Sequence, residues 1–225
     1  MQFIDFEVKT GKENMQTDSD LLDFAVNNKL KEPIFRLYGW SPACVSIGRN
    51  QSDEFLDKTF LKSKNIDIVK RLTGGRALLH DKELTYSFIC PTSFLKNGQS
   101  VVNSYKEISQ ILIDAFEELG IDLAFASKKP QAKFDYCMSI STGADLCFEG
   151  KKLIGSAQFR KDGYILQHGS ILFDYDKKLL KKIFSENIDE NAITSLKQIA
   201  PDLDFETLKT CLKESAQCFG KSMIQ

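Results

Sequence analysis

Histidine is scarce in this chain of 225 residues, with His80 and His168 the only two. That excludes a histidine-rich metal centre. The six cysteines, at 44, 90, 137, 147, 211 and 218, contain no Cys-x-x-Cys pair. Their spacing matches neither zinc ligation nor a disulfide framework, so the expectation is a reduced, cytoplasmic protein. Neither sign of charge dominates, with 30 Lys and Arg against 31 Asp and Glu, and nothing marks a nucleic-acid or membrane partner. No apolar run approaches the ~20 residues that span a bilayer. The start, Met1-Gln2-Phe3-Ile4-Asp5-Phe6, lacks the basic and apolar regions of a signal peptide. Gly220-Lys221-Ser222 has the look of a P-loop ending, but the glycine five positions earlier is missing. No repeat, low-complexity tract or linker divides the chain. Residues 1–225 therefore read as one domain with a substantial core and a helical C-terminal segment from about 176 to 225.

What is present reads in order as alternating strands and helices. Phe3 to Val8 alternates as a strand. A helix follows Gly11 to Glu13, with Asn14 as its N-cap and Met15, Leu21, Leu22, Ala25 and Val26 turned inward. Strands at Ile34–Tyr38 and Ala43–Ile47 precede a short helix from Asp53 to Lys62. Val101 to Leu119 carries Val102, Tyr105, Ile108, Leu112, Ala115 and Leu119 along one helical face, and Gly120 stops it. Ile121–Phe125 reads as a short strand, and 126–143 as a connection without periodicity. Hairpins follow across Glu149-Gly150-Lys151 and Lys161-Asp162-Gly163. The tail from Asp176 is helical, including Phe205 to Phe219.

The stretch from Arg71 to Phe88, RLTGGRALLHDKELTYSF, organises the rest. Gly74 and Gly75 allow positive φ and a close backbone approach to a ligand. Arg71 and Arg76 flank them, so exposed N–H groups and two guanidinium forks are placed to converge on a carbonyl or phosphate. A hairpin turn is the ordinary alternative for such a pair. His80 is placed to orient that loop, with Asp81 as a turn cap or its partner. Downstream, Cys137 and Lys152 make a chemically coherent pair. A thiolate attacks a thioester carbonyl readily, and a lysine ammonium lowers the thiol pKa and holds the carbonyl oxygen. The other five cysteines sit in strand-like runs or on helix faces and read as small buried hydrophobes.

The block from Thr73 to Ser87 looks like the signature of the lipoate–protein ligase and octanoyltransferase superfamily, Arg-Arg-x-x-Gly-Gly-(Gly/Arg)-Ala-Val-x-His-Asp. Lys70 stands in place of the first arginine, keeping the charge and losing the fork. Glu13-Asn14-Met15 with Asp18 to Leu22, and Trp40 to Gln51, resemble further segments of the family. So do Gly150 to Gln158 and Gln167-His168-Gly169-Ser170-Ile171-Leu172. The resemblance covers about residues 1 to 175. It implies an α/β (α+β) fold, with mixed β-sheets flanked by helices, of the biotin/lipoyl-ligase catalytic-domain type.

Arg76 at the Gly/Arg position resembles the cysteine-dependent octanoyltransferases, whereas Arg49-Asn50 is closer to the ligases. In the octanoyltransferase branch a nucleophilic cysteine stands fifteen residues before the lysine of the Gly-Arg-Lys motif. Cys137 and Lys152 keep that register, although Met138 to Thr142 depart from the family's Phe-Asp-Ala-Pro-Ser. The resemblance thus implies Cys137 and Lys152 as catalytic, and Arg71, Gly74, Gly75, Arg76, His80, Gly155, Ser156, Ala157 and His168 as substrate-binding, with no metal. It implies octanoyl transfer from octanoyl-acyl carrier protein to a lipoyl-domain lysine of a glycine cleavage H protein or dehydrogenase E2 subunit, with no cofactor. The alternative is a lipoate–protein ligase using ATP and magnesium, although little room remains for the accessory domain many ligases carry. A third reading is a non-catalytic lipoyl-domain binder.

Overall fold

The computed structural model describes residues 1–126, 136, 145–185 and 189–223. Its frame is a seven-stranded sheet in the order β1-β2-β6-β10-β9-β8-β7. These strands are β1 (Gln2–Lys9), β2 (Ile34–Trp40), β6 (Glu83–Pro91), β7 (Ala124–Phe125), β8 (Leu146–Phe148), β9 (Lys151–Lys161) and β10 (Tyr164–Leu172). Only β1 and β2 pair in parallel; the other neighbours are antiparallel. A second sheet of three strands, in the order β4-β3-β5, comprises β3 (Cys44–Ile47), β4 (Asp67–Lys70) and β5 (Leu78–His80). The expected mixed α/β architecture is the one observed.

Strand alternation divides the large sheet into two chemically different faces. One face presents Phe35, Leu37, Leu84, Tyr86, Phe88, Ile154, Ile165 and Ile171 to helices α3 (Val101–Glu118) and α6 (Phe205–Ser222), and makes the main core. The other carries Arg36, Tyr38, Glu83, Thr85, His168 and Ser170, all buried. This polar face is covered by α1 (Gly11–Asn27) and the small sheet. Buried polar groups are costly unless hydrogen-bonded, so a polar inner face marks the layer in which the fold gives up core packing for chemistry.

Local signals explain most element ends. Helix α1 starts one turn earlier than Asn14: Thr10 is the N-cap, in a capping box with Glu13. Asn14 is buried instead, donating to the Lys9 and Gly39 carbonyls. The second helix, α2, is Lys58–Ser63, shorter than expected, with Asp57 as its cap. In α3 the expected face is buried at Tyr105, Ile108, Leu112 and Ala115, but Val102, in the first turn, is exposed. Positive φ at Glu149 and Gly150, and at Asp162 and Gly163, gives both hairpins the two-residue turn that matches strand twist. The Gly74-Gly75 turn is no hairpin, because β4 and β5 lie on opposite sides of β3. It crosses the end of the small sheet and is free to serve a site.

Gly169 shows how tightly the two sheet faces constrain the central strand. A Cβ there would run into Ser156 Oγ, and would lie 2.7 Å from Tyr86 Cε1 and 2.8 Å from the Gly155 carbonyl oxygen. Gly169→Ala should lower stability by about 1–3 kcal/mol, the usual cost of overpacking. Denaturant melts would show it as a lower midpoint at unchanged slope.

Candidate active site

A cavity lies between the polar face of the large sheet and the small sheet. Its lining includes Tyr38 and Trp40 from β2, Ser46 from β3, Leu78 and His80 from β5, and Thr85 from β6. Met15, Arg71 and Gly75 close one side, and Gly155, Ser156, Ala157 and His168 the other. Including its mouth, it holds about 450 Å³ of space not filled by atoms. Seven of the residues singled out from sequence thus share one cavity: Arg71, Gly75, His80, Gly155, Ser156, Ala157 and His168. Gly74, Arg76 and Lys152 are not among its lining residues.

Glycine and small residues make room along β9 and β10. Gly155 pairs with Ser170, and Ala157 with His168, so short side chains on β9 stand beside the polar ones of β10. Met15, Trp40 and Leu78 supply apolar wall. Trp40 is fixed at both ends of its indole, with Nε1 donating to Thr85 Oγ1 at 2.8 Å and the ring stacked on His80 at 3.9 Å between centroids.

Arg71 does not extend its fork to a ligand, as the sequence led us to expect. Nε donates to Thr73 Oγ1 (3.1 Å), and Nη1 to the carbonyl (3.0 Å) and hydroxyl (2.9 Å) of Ser46. Nη2 donates to the Gly74 and Arg76 carbonyls at 3.0 and 2.7 Å. The guanidinium therefore shapes the turn from inside. Gly75 takes φ +93°, which a side chain rarely adopts. A Cβ on Gly48 would meet the Gly75 carbonyl, so Gly75 is required by its backbone angle and Gly48 by close packing.

Each histidine bridges a hydroxyl and a carboxylate. His80 Nε2 lies 2.8 Å from Ser46 Oγ, and its Nδ1 3.1 Å from Glu83 Oε1. Glu83, and not Asp81, is thus its acidic partner. Ser170 and Thr85 also donate to Glu83. His168 Nε2 lies 2.8 Å from Thr73 Oγ1, and its Nδ1 3.1 Å from Asp18 Oδ2. Asp18 further accepts from Arg36 and Tyr38, each at 2.9 Å. Burial alone would raise the Asp18 carboxyl; the hydrogen bond from His168, with Arg36 and Tyr38, outweighs it and holds the pKa below the ordinary value. Asp18, Arg36, Ser46, Thr73 and Glu83 were not picked out as site residues. Arg36, Ser46 and Glu83 show in the sequence only as polar residues within otherwise apolar strands, while Asp18 and Thr73 lie on α1 and in the glycine turn.

Lys152 is 1% exposed and pairs with Asp145 at 3.0 Å. Leu146 pairs with Ile154 and Cys147 with Lys152, leaving Leu153 as the extra residue of a β-bulge. Antiparallel partners share a face. The bulge therefore moves Lys152 from the side of Ile154 to the side of Gly155 and Ala157, the polar face, and Lys151 to the opposite one. Cys137 lies outside the described residues. Its neighbour Tyr136 is buried, bridges to Ala77 next to the glycine turn, and stacks on Phe184 at 4.5 Å. Cys44, Cys90, Cys211 and Cys218 are free thiols. Burial raises Cys44 to about 12 and pushes Cys90 and Cys211 up as well, which makes them poor nucleophiles. Among the described residues no group of three or more His, Cys, Asp or Glu is placed to hold a metal ion, and no helix is long and apolar enough to cross a membrane.

The sequence model described as the lipoyl protein ligase A/B catalytic domain matches residues 10–217. The octanoyltransferase LipM of Staphylococcus aureus is 40% identical over 206 residues, covering 87% of this chain and 72% of that protein. The octanoyltransferase LipM of Geobacillus kaustophilus is 38% identical over 221 residues, covering 92% and 79%. The crystal structure of lipoate-protein ligase A bound with ATP superposes with a TM-score of 0.75 over 97% of this chain and 84% of that one, at 19% identity. At that identity the likeness speaks for the fold alone.

Burial is the first cause lowering the His80 pKa below 6.5; the charge and hydrogen bond of Glu83 oppose it, and Arg71 adds to it. The unfolded chain then takes a proton at a higher pH than the folded protein. The stability from neutral His80 is complete above about pH 6.5 and declines as pH falls below it. Thermal melts from about pH 7.5 to 5.5 should show a falling midpoint, and His80→Gln should flatten that decline.

Proposed function

The chain belongs to the lipoyl protein ligase A/B catalytic-domain family and is an acyltransferase that moves octanoyl groups in protein lipoylation. We propose that it takes the octanoyl group from octanoyl-acyl carrier protein onto Cys137 and passes it to a lipoyl-domain lysine. The Cys137 sulfur attacks the donor carbonyl and the carrier thiol leaves. The acceptor amine then attacks the new thioester, an amide forms, and the Cys137 thiol is restored. Thiol exchange in the first step is nearly isoenergetic, and amide formation drives the second.

The observation that carries this reading is the anchoring on either side of Cys137. Tyr136 is bridged to Ala77 beside the glycine turn, and Asp145 is paired with Lys152 on the polar face. A lysine ammonium held by Asp145 is suited to an oxygen that gains negative charge in the transition state. The cavity's apolar wall and small residues suit an eight-carbon chain. Glycine cleavage H protein and dehydrogenase E2 subunits are the acceptors this reading names. The free cysteines suit a reducing, cytoplasmic setting.

No nucleotide or metal enters this reading. Arg76 occupies the position at which the ligases carry a third glycine. The relatives at 38–40% identity are named octanoyltransferases, whereas the ATP-bound ligase structure is 19% identical.

Transfer to an apo lipoyl domain should proceed from octanoyl-carrier protein with neither ATP nor magnesium, and Cys137→Ser should abolish it. Activity only with free lipoate and ATP would replace this reading with the ligase. Lys152→Ala should slow transfer on the order of 10²-fold, as for loss of an oxyanion donor, while Lys151→Ala should cost little. Equal losses at the two lysines would point to general attraction of the carrier protein instead.

A further inference from the structure

Two chains of hydrogen bonds of identical chemistry converge on Arg71. One runs from Arg71 Nε to Thr73 Oγ1, on to His168 Nε2, and from His168 Nδ1 to Asp18. The other runs from Arg71 Nη1 to Ser46 Oγ, on to His80 Nε2, and from His80 Nδ1 to Glu83. Each hydroxyl is buried, with Thr73 0% and Ser46 1% exposed. Each has one lone pair taken by the guanidinium, which never accepts. Its proton has the facing imidazole nitrogen as its acceptor when that nitrogen is bare. The carboxylate at the far end takes the proton of Nδ1. Donor and acceptor directions agree along both chains for a neutral, Nδ1-protonated imidazole.

Ser46, His80 and Glu83 also have the order of a nucleophilic triad. The second chain argues against that use. The same arrangement recurs around Thr73, with the same guanidinium on the hydroxyl, and the feature common to the two is Arg71. Arg71 in turn holds the carbonyls of Gly74 and Arg76, which set the turn at the cavity wall.

We infer that His80 and His168 are positioning residues, two relays that anchor Arg71 from opposite carboxylates and so hold the Gly74–Arg76 turn in the shape that receives the acyl group. Protonating either imidazole would turn its Nε2 into a donor. The hydroxyl would then accept from two cations, and its own proton would have to leave the chain. Glu83, Ser170 and Thr85 surround the His80 end, while Asp18, Arg36 and Tyr38 surround the His168 end. The turn is thereby tied to β6 and β10 through one relay and to α1 through the other. This inference rests on the octanoyl-transfer reading for its kinetic consequence but not for its chemistry.

Two measurements test it. Nitrogen-15 spectra of the histidine-labelled protein at neutral pH should show two neutral rings, both protonated on Nδ1. Thr73→Val should shift the Nε2 resonance of His168 alone, and Ser46→Ala that of His80 alone. An imidazolium, or a proton on Nε2, at either position overturns the relay whether or not the enzyme transfers octanoyl groups. In transfer assays well below the melting temperature, Thr73→Val should lower kcat per folded protein by about 10- to 100-fold, the scale of a small misplacement. Thr73→Ser, which keeps the hydroxyl, should restore it. A Thr73→Val enzyme as active as the parent overturns the positioning role, as does a Thr73→Ser enzyme as slow as Thr73→Val. Absence of transfer in the parent enzyme counts against the octanoyl reading, and the spectra then decide the relay.

Discussion

The guanidinium of Arg71, buried between two sheets and donating from Nε and Nη2 to the loop that carries it and from Nη1 to Ser46 on β3, is the interaction on which the site depends. A charged group out of water is stable only when its hydrogen bonds are made, and here they are made to the turn itself, at Thr73, Gly74 and Arg76, and to the carbonyl and hydroxyl of Ser46 on β3. The turn has few other means of holding its shape. Gly74 and Gly75 lack side chains to pack, and the small sheet ends on either side of them. The arginine converts a glycine pair, flexible in an unfolded chain, into a wall with defined carbonyl directions.

The rest of the polar layer follows from that requirement. Arg71 brings a positive charge, and Asp18 and Glu83 balance it at a distance, with a histidine and a hydroxyl between. Asp18 is also paired with Arg36, so breaking that buried pair from one side would cost about 3–5 kcal/mol. Glu83 gathers Thr85 and Ser170 from neighbouring strands, and Thr85 receives Trp40. The polar side chains of this network thus satisfy one another, leaving apolar atoms of Met15, Trp40 and Leu78 for the cavity wall. Such a lining is rigid and polar behind, apolar in front, as binding of an acyl chain with a reactive carbonyl requires. On the far face α3 and α6 supply the packing that the polar layer forgoes.

Much of this was legible in the sequence where residue pattern and local geometry coincide. The first strand, expected over Phe3 to Val8, the helical stripe of α3 and the two glycine-containing hairpins lie close to their expected places. Gly75 has the positive φ that its type allows. Gly75, His80, His168 and the Gly155-Ser156-Ala157 run come together around one cavity, although they are up to 93 positions apart in the chain. The less legible features depend on three-dimensional partners. That Arg71 turns inward follows from Ser46 and Thr73 lying beside it, and no local pattern encodes that. The partner of His80 is Glu83 because Asp81 sits in the turn between β5 and β6 while Glu83 begins β6 and points inward. The bulge at Leu153, which puts Lys152 on the polar face, depends on how β9 registers against β8, and no local pattern in β9 encodes that.

The central claim is that the acyl group passes through a thioester on Cys137, and intact-protein mass spectrometry tests it most directly. Given octanoyl-carrier protein and no acceptor, the enzyme should gain the mass of one octanoyl group. That adduct should map to the peptide containing Cys137 and disappear in neutral hydroxylamine. An unmodified enzyme that still transfers octanoyl groups when acceptor is added, or an adduct on any residue other than Cys137, would contradict the account.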